Sequence, residues 1–280
     1  MKFVNPKNDV AFKKIFGDEQ HKEILIAFLN AVLELEGVKT IQAVQILNPW
    51  QAPKLEFLKY TLLDIKATDQ RGVHFIVEMQ VENVAGLRKR FQYYLAKSYS
   101  SQIERGTDYP RLNQVIFIGI LDFKEFNSSH YLSRHLLLNR ETHEQELQDF
   151  EFNFIELPKF TKTEPELETA LEKWVYFLKY ASDLEVIPTH VENVPLRQAY
   201  EVANYFGWSR EELEVYEYWG IKAQDERGAV QLALQQGLQQ GIEIEQLEIA
   251  QRMLADGMSL EMVTKYTQLP IEVVNNLLKK

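Results

Sequence analysis

The sequence predicts an α/β fold: a mixed sheet flanked by helices, with a helical C-terminal extension. Apolar runs rich in β-branched residues, above all Val115-Ile116-Phe117-Ile118-Gly119-Ile120-Leu121, have the length of strands and sit between turn residues. Segments with apolar residues at helical spacing precede and separate them, giving the order α, α, β, β, β, α, β as far as Asp122. Beyond about residue 165 an acidic, helical pattern takes over.

Asn8 or Asp9 is placed to cap a first helix that turns Phe12, Ile15 and Phe16 inward and sets Asp9 and Lys13 one turn apart on its other face. Residues 21–36 form a strongly apolar helix, with Gly37 where a left-handed stop is expected. Val38 to Leu47 reads as the first strand, and Pro49 and Pro53 mark the loop after it. The next two strands form a hairpin, with Leu63 and Ile65 facing the core on one and Phe75, Val77 and Met79 on the other. Arg88 to Arg105 is a helix closed by Gly106, Gln114 to Asp122 is a buried strand, and strand-like segments follow at 130–138 and 150–157. Between those two, Glu141, His143, Glu144 and Glu146 read as solvated surface rather than as a ligand set. Leu171, Trp174, Val175 and Leu178 share a helix face, and Tyr200, Tyr205, Phe206 and Trp208 read as core aromatics.

Residues 226–245 contain Gln-Gln-Gly repeats, and glycine weakens a helix by ~1 kcal/mol relative to alanine. An exposed, marginal helical linker is expected there. The remaining segment, 246–280, reads as short helices: one through Ile249, Met253 and Leu254, a break at Gly257-Met258 with Ser259 as cap, one through Met262, Val263 and Tyr266, and a last one opened by Pro270 and running through Val274 and Leu278. Helix, small-residue turn, helix resembles helix-turn-helix modules, but Lys265 is alone on the second helix, so a protein partner or a second copy is an equal candidate for this surface. The domain plan is therefore 1–225, a linker 226–245, and a small helical domain 246–280.

Composition narrows the function. With 280 residues, 45% of them hydrophobic, the chain is long enough for one sizeable core and a smaller module. The absence of cysteine excludes disulfides, thiol catalysis and thiolate-bound zinc. The first residues lack the apolar stretch of a signal peptide, and no run approaches the ~18 apolar residues of a membrane span, so a soluble, cytoplasmic protein is expected. A net charge of -10 argues against a general nucleic-acid coat protein. Locally the balance reverses: from Ala85 to Arg111 the chain carries Arg88, Lys89, Arg90, Lys97, Arg105 and Arg111 against Glu104 and Asp108. Such a run is either a solvated helix face or a surface for phosphates.

The chemistry concentrates in the hairpin. Alternation puts Asp64 and Lys66 on one face of the first strand, and Glu78 and Gln80 on one face of the second. If Asp64 lies opposite Glu78, then Asp69 lies opposite Val73, and Gln70, Arg71 and Gly72 form the turn, with Gly72 free to take positive φ. The two Cβ atoms then sit roughly 5 Å apart, within reach of one divalent cation. A slip of one residue would send the acids to opposite faces.

These residues carry a resemblance. Asn8-Asp9-Val10-Ala11-Phe12-Lys13-Lys14-Ile15-Phe16-Gly17, Leu63-Asp64-Ile65-Lys66-Ala67, Ile76-Val77-Glu78-Met79-Gln80, Tyr93-Tyr94 through Gln102 to Asp108-Tyr109, Glu156-Leu157-Pro158-Lys159-Phe160 and Ala250-Gln251-Arg252-Met253-Leu254 stand in one order along nearly the whole chain. Together they resemble the PD-(D/E)xK nuclease superfamily, in particular its branch of recombination-promoting nucleases and transposases. The resemblance implies a restriction-endonuclease-like core, with Asp64 and Glu78 as metal-binding acids and Asp9 as a further acid from the first helix. Gln80 stands where the superfamily pattern has Lys, and an amide orients a water but does not act as a base at neutral pH. Lys66 and Lys97 are the candidates for the missing positive charge.

The expected function is a metal-dependent DNA endonuclease using Mg²⁺ or another divalent cation, linked to recombination, transposition or mobile-element defence. Arg88, Lys89, Arg90 and Lys97 are its expected DNA contacts. The competing reading is a catalytically silent regulator, binding DNA or protein on the same scaffold. His74 reads as a satisfied structural residue.

Overall fold

The computed structural model describes residues 1–48, 50–51, 61–103, 108–189 and 191–277. The expected roles of Pro49, Pro53, Arg105, Gly106 and Leu278 lie outside the described residues.

Helix α1 (Asp9–Phe16) starts at Asn8, whose side-chain oxygen accepts from the N–H groups of Val10 and Ala11, and it buries Ala11, Phe12, Ile15 and Phe16. Helix α2 (Lys22–Leu33) ends on Glu34 at φ 50°, not at Gly37 as the glycine suggests. Asn30 explains the early stop: its side chain accepts from Ile41 N–H at 2.8 Å and donates to Ile41 O at 2.9 Å, drawing the chain back across the helix end. Gly37, at φ 57°, instead opens a short 3₁₀ turn. Val38 is consequently 96% exposed, and the first strand begins later than its apolar residues predict.

Six strands make the main sheet: β1 (Val44–Leu47), β4 (Ile65–Asp69), β5 (His74–Gln80), β6 (Val115–Leu121), β8 (Leu147–Glu156) and β7 (Leu132–Leu137), in that spatial order. A separate antiparallel ribbon pairs β2 (Trp50–Gln51) with β3 (Thr61–Leu62). Strands β1, β4 and β5 run antiparallel, β5, β6 and β8 run parallel, and β7 returns antiparallel at the edge. The parallel centre is covered on both faces, which is why β6 is buried along its whole length and reads as an unbroken apolar run.

One sheet face, through Ile65, Phe75, Val77, Ile118 and Ile155, meets α1, α2, α4 (Ala170–Tyr180) and α5 (Val194–Val202), with Phe16, Phe28 and Trp174 in mutual ring contact. The other face, through Ile76, Phe117, Leu121 and Phe154, lies under Leu87, Phe91 and Leu95 of α3 (Leu87–Ser100). Leu63 and Ile65 do not share a face as alternation predicts: the chain bends at Asp64, so Leu63 joins the α3 side and Ile65 the opposite side. Of the expected core aromatics, Tyr200 and Trp208 are buried, whereas Phe206 is exposed.

Helix α6 runs unbroken from Arg210 to Ala255, so the glycines of 226–245 do not interrupt it. The chain divides into two compact units, Met1–Trp219 and Gly220–Lys280. Leu213 and Tyr216 of α6 pack on the core of the first unit. In the second, α7 (Leu260–Thr267) is capped by Ser259, and with α8 (Ile271–Leu277) and the end of α6 it buries Ala250, Val263, Leu269 and Val274. Ile249, Met262 and Tyr266 point outward instead, since the packed face of each helix lies one position round. Among the described residues, no helix is long and apolar enough to cross a membrane.

Candidate functional site

The β4–β5 hairpin pairs Ile65 with Val77, Lys66 with Ile76, Ala67 with Phe75 and Thr68 with His74. Carried one step further at each end, this register sets Asp64 against Glu78 and Asp69 against Val73, where Asp69 N–H bonds Val73 O at 3.0 Å. Gln70, Arg71 and Gly72 make the turn, with Gly72 at φ 84°. The Asp69 carboxylate locks it by accepting from the N–H groups of Arg71 and Val73 at 2.8 and 3.0 Å and pairing with the Arg71 guanidinium.

At the open end the two acids hold each other through the main chain. Glu78 Oε1 accepts from Asp64 N–H at 3.1 Å, and Asp64 Oδ2 accepts from Met79 N–H at 2.8 Å. Glu78 is only 3% exposed, and the Asp64 side chain 15%. Burial pushes the Asp64 carboxyl up to about 6, against the opposing pull of the Met79 N–H and the Lys13 charge. Glu78 is raised well above the usual carboxylate range, by burial first and then by the neighbouring Asp64 charge. Gly119 of β6 stands beside Glu78 in register, and a Cβ there would come within 2.7 Å of the Phe154 ring.

Gln80 lies on the same face. Its Nε2 donates to Glu78 Oε2 at 3.3 Å and its Oε1 accepts from Arg90 Nη2 at 2.5 Å. Arg90 has no acceptor to offer, so it fixes which end of the amide faces Glu78. Arg90 Nε is buried and has no hydrogen-bond partner among the described residues.

From α1, Lys13 Nζ reaches Asp9 Oδ1 at 2.7 Å and Asp64 Oδ1 at 3.5 Å. Burial works to lower the Lys13 pKa, but the hydrogen bond to Asp9 and the charges of Asp64 and Asp9 outweigh it, and the net shift is upward. Asp9 thus meets Asp64 both through this ammonium and directly, its carboxyl hydrogen-bonding Asp64 and helping to raise the Asp64 pKa. Lys66, two pairs along from Asp64 on the same strand, is half-buried, its pKa is lowered by burial, and it ion-pairs with no described residue. His74 bonds Thr68 Oγ1 at 3.3 Å, and its pKa is lowered by burial and by the Lys66 charge.

The four expected DNA contacts do not form one surface. Arg90 turns inward to Gln80, whereas Arg88 pairs with Glu125 on another flank of α3 and lies over the Phe126 ring. Lys89 is exposed, and Lys97 lies further along the helix over the Tyr93 ring. His143 sits in an exposed turn at φ 60°. Among the described residues, no group of three or more His, Asp or Glu side chains is disposed to hold a metal; the two hairpin carboxylates face each other, with the Asp9 carboxyl against Asp64.

Sequence reading missed two participants. The spacing of Lys13 from Asp9 puts them on one helix face, but nothing local says that this face meets the hairpin. Arg90 was legible as a cation, and its inward turn depends on Phe91 and Leu87 anchoring α3 to the sheet.

Among curated proteins and among solved structures, none matches the chain. Residues 6–233, however, match the family described as PD-(D/E)XK nuclease family transposase. The six-stranded mixed sheet with its flanking helices is consistent with the nuclease fold that this description implies. With α1, the hairpin, α3 and the parallel centre all inside the matched span, the chain belongs to the PD-(D/E)XK nuclease family of transposases.

Proposed function

We propose that the chain is a metal-dependent DNA endonuclease whose divalent cation, Mg²⁺ in the simplest case, is held by Asp64 and Glu78. The observation that carries this is the pair of buried carboxylates, each oriented by the other's strand and both raised in pKa by burial. The donor set fits such an ion: it offers oxygen alone, and Mg²⁺ takes one or two carboxylates and completes its shell with water and phosphate oxygens. When bound, the cation supplies polarisation of a phosphoryl oxygen and a more acidic water.

The protein's own residues do the rest. Asp64 and Glu78 must both shed their protons before they serve as ligands. Gln80 Nε2 has a second N–H beyond the one given to Glu78, which suits it to orient a water beside Glu78. Asp9 is an outer acid that meets the site through Lys13 and at the Asp64 carboxyl. Lys66 is a cation on the strand face of Asp64 that ion-pairs with no described residue, and Lys89 and Lys97 are contacts for the DNA backbone along α3. The helical unit 220–280 is a contact for DNA, a protein partner or a second copy.

A catalytically silent regulator is the second reading, favoured by Gln80, whose amide is engaged at both ends where the family pattern has a lysine. The test is loss of supercoiled plasmid on incubation with purified protein and Mg²⁺, beside Asp64→Ala and Glu78→Ala. Each variant should lose most of the activity. Cleavage at the wild-type level in both, or in excess chelator, overturns the assignment.

A further inference from the structure

Three cations stand near the acids, and their surroundings differ. Arg90 is committed to Gln80, and Lys66 makes no ion pair with a described residue. Lys13 alone among them is bonded to an acid of the hairpin, touching Asp64 Oδ1 while anchored at 2.7 Å on Asp9. Its side chain is 34% exposed and reaches the site from α1, a helix fastened independently by Phe12, Ile15 and Phe16.

An ammonium in contact with a buried carboxylate is in the position of a bound cation, neutralising a charge that burial makes costly. Asp9, the more exposed partner, holds that ammonium at the mouth of the site. We propose that Lys13 is the resident counter-ion of the site: it occupies the cation's place on Asp64 when no metal is bound, yields that oxygen to an incoming divalent ion while keeping Asp9, and then supplies the positive charge that Gln80 lacks. This rests on the reading of Asp64 and Glu78 as metal ligands. Lys13 acts through Asp64 in the metal-free site and on the phosphate once the ion is bound. Its two roles give opposite signs: a competitor for Asp64 weakens metal binding, whereas a charge beside the phosphate helps the reaction.

The experiment uses full-length protein, with Mn²⁺ alone as the probe in calorimetric titration, thermal melts with and without Mn²⁺, and plasmid cleavage at saturating Mn²⁺. Lys13→Met and Lys13→Gln should bind Mn²⁺ at least about threefold more tightly than wild type, since a like charge close to the ion is gone. They should melt lower than wild type when metal-free and recover the difference with Mn²⁺, yet cleave at least about tenfold more slowly, in line with the usual loss on removing one charged group from a site. Lys13→Arg should keep the wild-type metal affinity and part of the rate. Mn²⁺ affinity that is unchanged or weaker in both neutral variants overturns the counter-ion role. So does unchanged cleavage. Absence of any Mn²⁺ binding that Asp64→Ala abolishes in the wild-type background overturns the metal reading itself, and the Lys13 role with it.

Discussion

With Asp64 raised to about 6 by burial, and Glu78 raised by burial and by the Asp64 charge, the folded chain keeps protons that the unfolded chain has released. In the unfolded chain both titrate near pH ~4, so stability falls as pH rises from about 4, through about 6 for the Asp64 contribution and on through the higher folded value of Glu78. Asp64→Asn keeps an oxygen for Met79 N–H but removes the charge, and should stabilise the metal-free protein at pH 8 by about 1–2 kcal/mol while changing little at pH 4. Denaturant melts in chelator at the two pH values check this; an Asn variant less stable at pH 8 contradicts it. Metal affinity should move the other way, tightening as pH rises through about 6, where Asp64 ionises, and further as Glu78 gives up its proton. At this scale the hairpin was legible because a two-residue alternation and one glycine turn determine which side chains meet. The Lys13 bridge was not, because it depends on where a distant helix docks.

Among the elements, β6 owes its place to Gly119, which leaves room between Glu78 and Phe154. Gly119→Ala would press on the Phe154 ring, itself 5.4 Å from Phe91 of α3, and should cost about 1–3 kcal/mol of unfolding free energy in a denaturant melt. An unchanged midpoint would show that Phe154 turns aside freely. Along α3 the cations should separate by role. Lys89→Gln should lower the salt slope of DNA binding by about 0.9, one counterion, at unchanged turnover. Arg90→Gln should slow cleavage, since it releases the Gln80 amide. Equal effects of the two on turnover would contradict the geometry. Strand centres and amphipathic helices were readable from periodicity, whereas the end of α2 and the start of β1 were not: Asn30 makes its bonds across a loop, and a polar residue in a helix announces no such partner.

For the whole molecule, the first unit closes inside α6, so residues 1–225 should fold and keep the hairpin chemistry, while a chain ending at 209 loses Leu213, Tyr216 and the Lys14–Glu212 pair. Thermal melts of the two truncations should place the shorter one lower by about 2–4 kcal/mol of stability; equal stability would make the root of α6 dispensable. The family could be read from the order of motifs, whereas a helix that runs on through residues 219 and 220 leaves no break in the pattern at the unit boundary. The same root has a consequence for the order of synthesis. Tyr216 OH accepts from Asn5 N–H, Tyr216 O accepts from the Asn8 side chain that caps α1, and Val4 and Phe3 pair with Ala203 and Asn204. On a ribosome, the hairpin emerges early and its register needs only its own turn, whereas the start of the chain must wait for residues 203–216 before its last bonds form. A nascent chain therefore carries the two acids long before the helix bearing Asp9 and Lys13 is fully tied down, and a message cut short ahead of that point yields a polypeptide with the hairpin but without its completed surroundings.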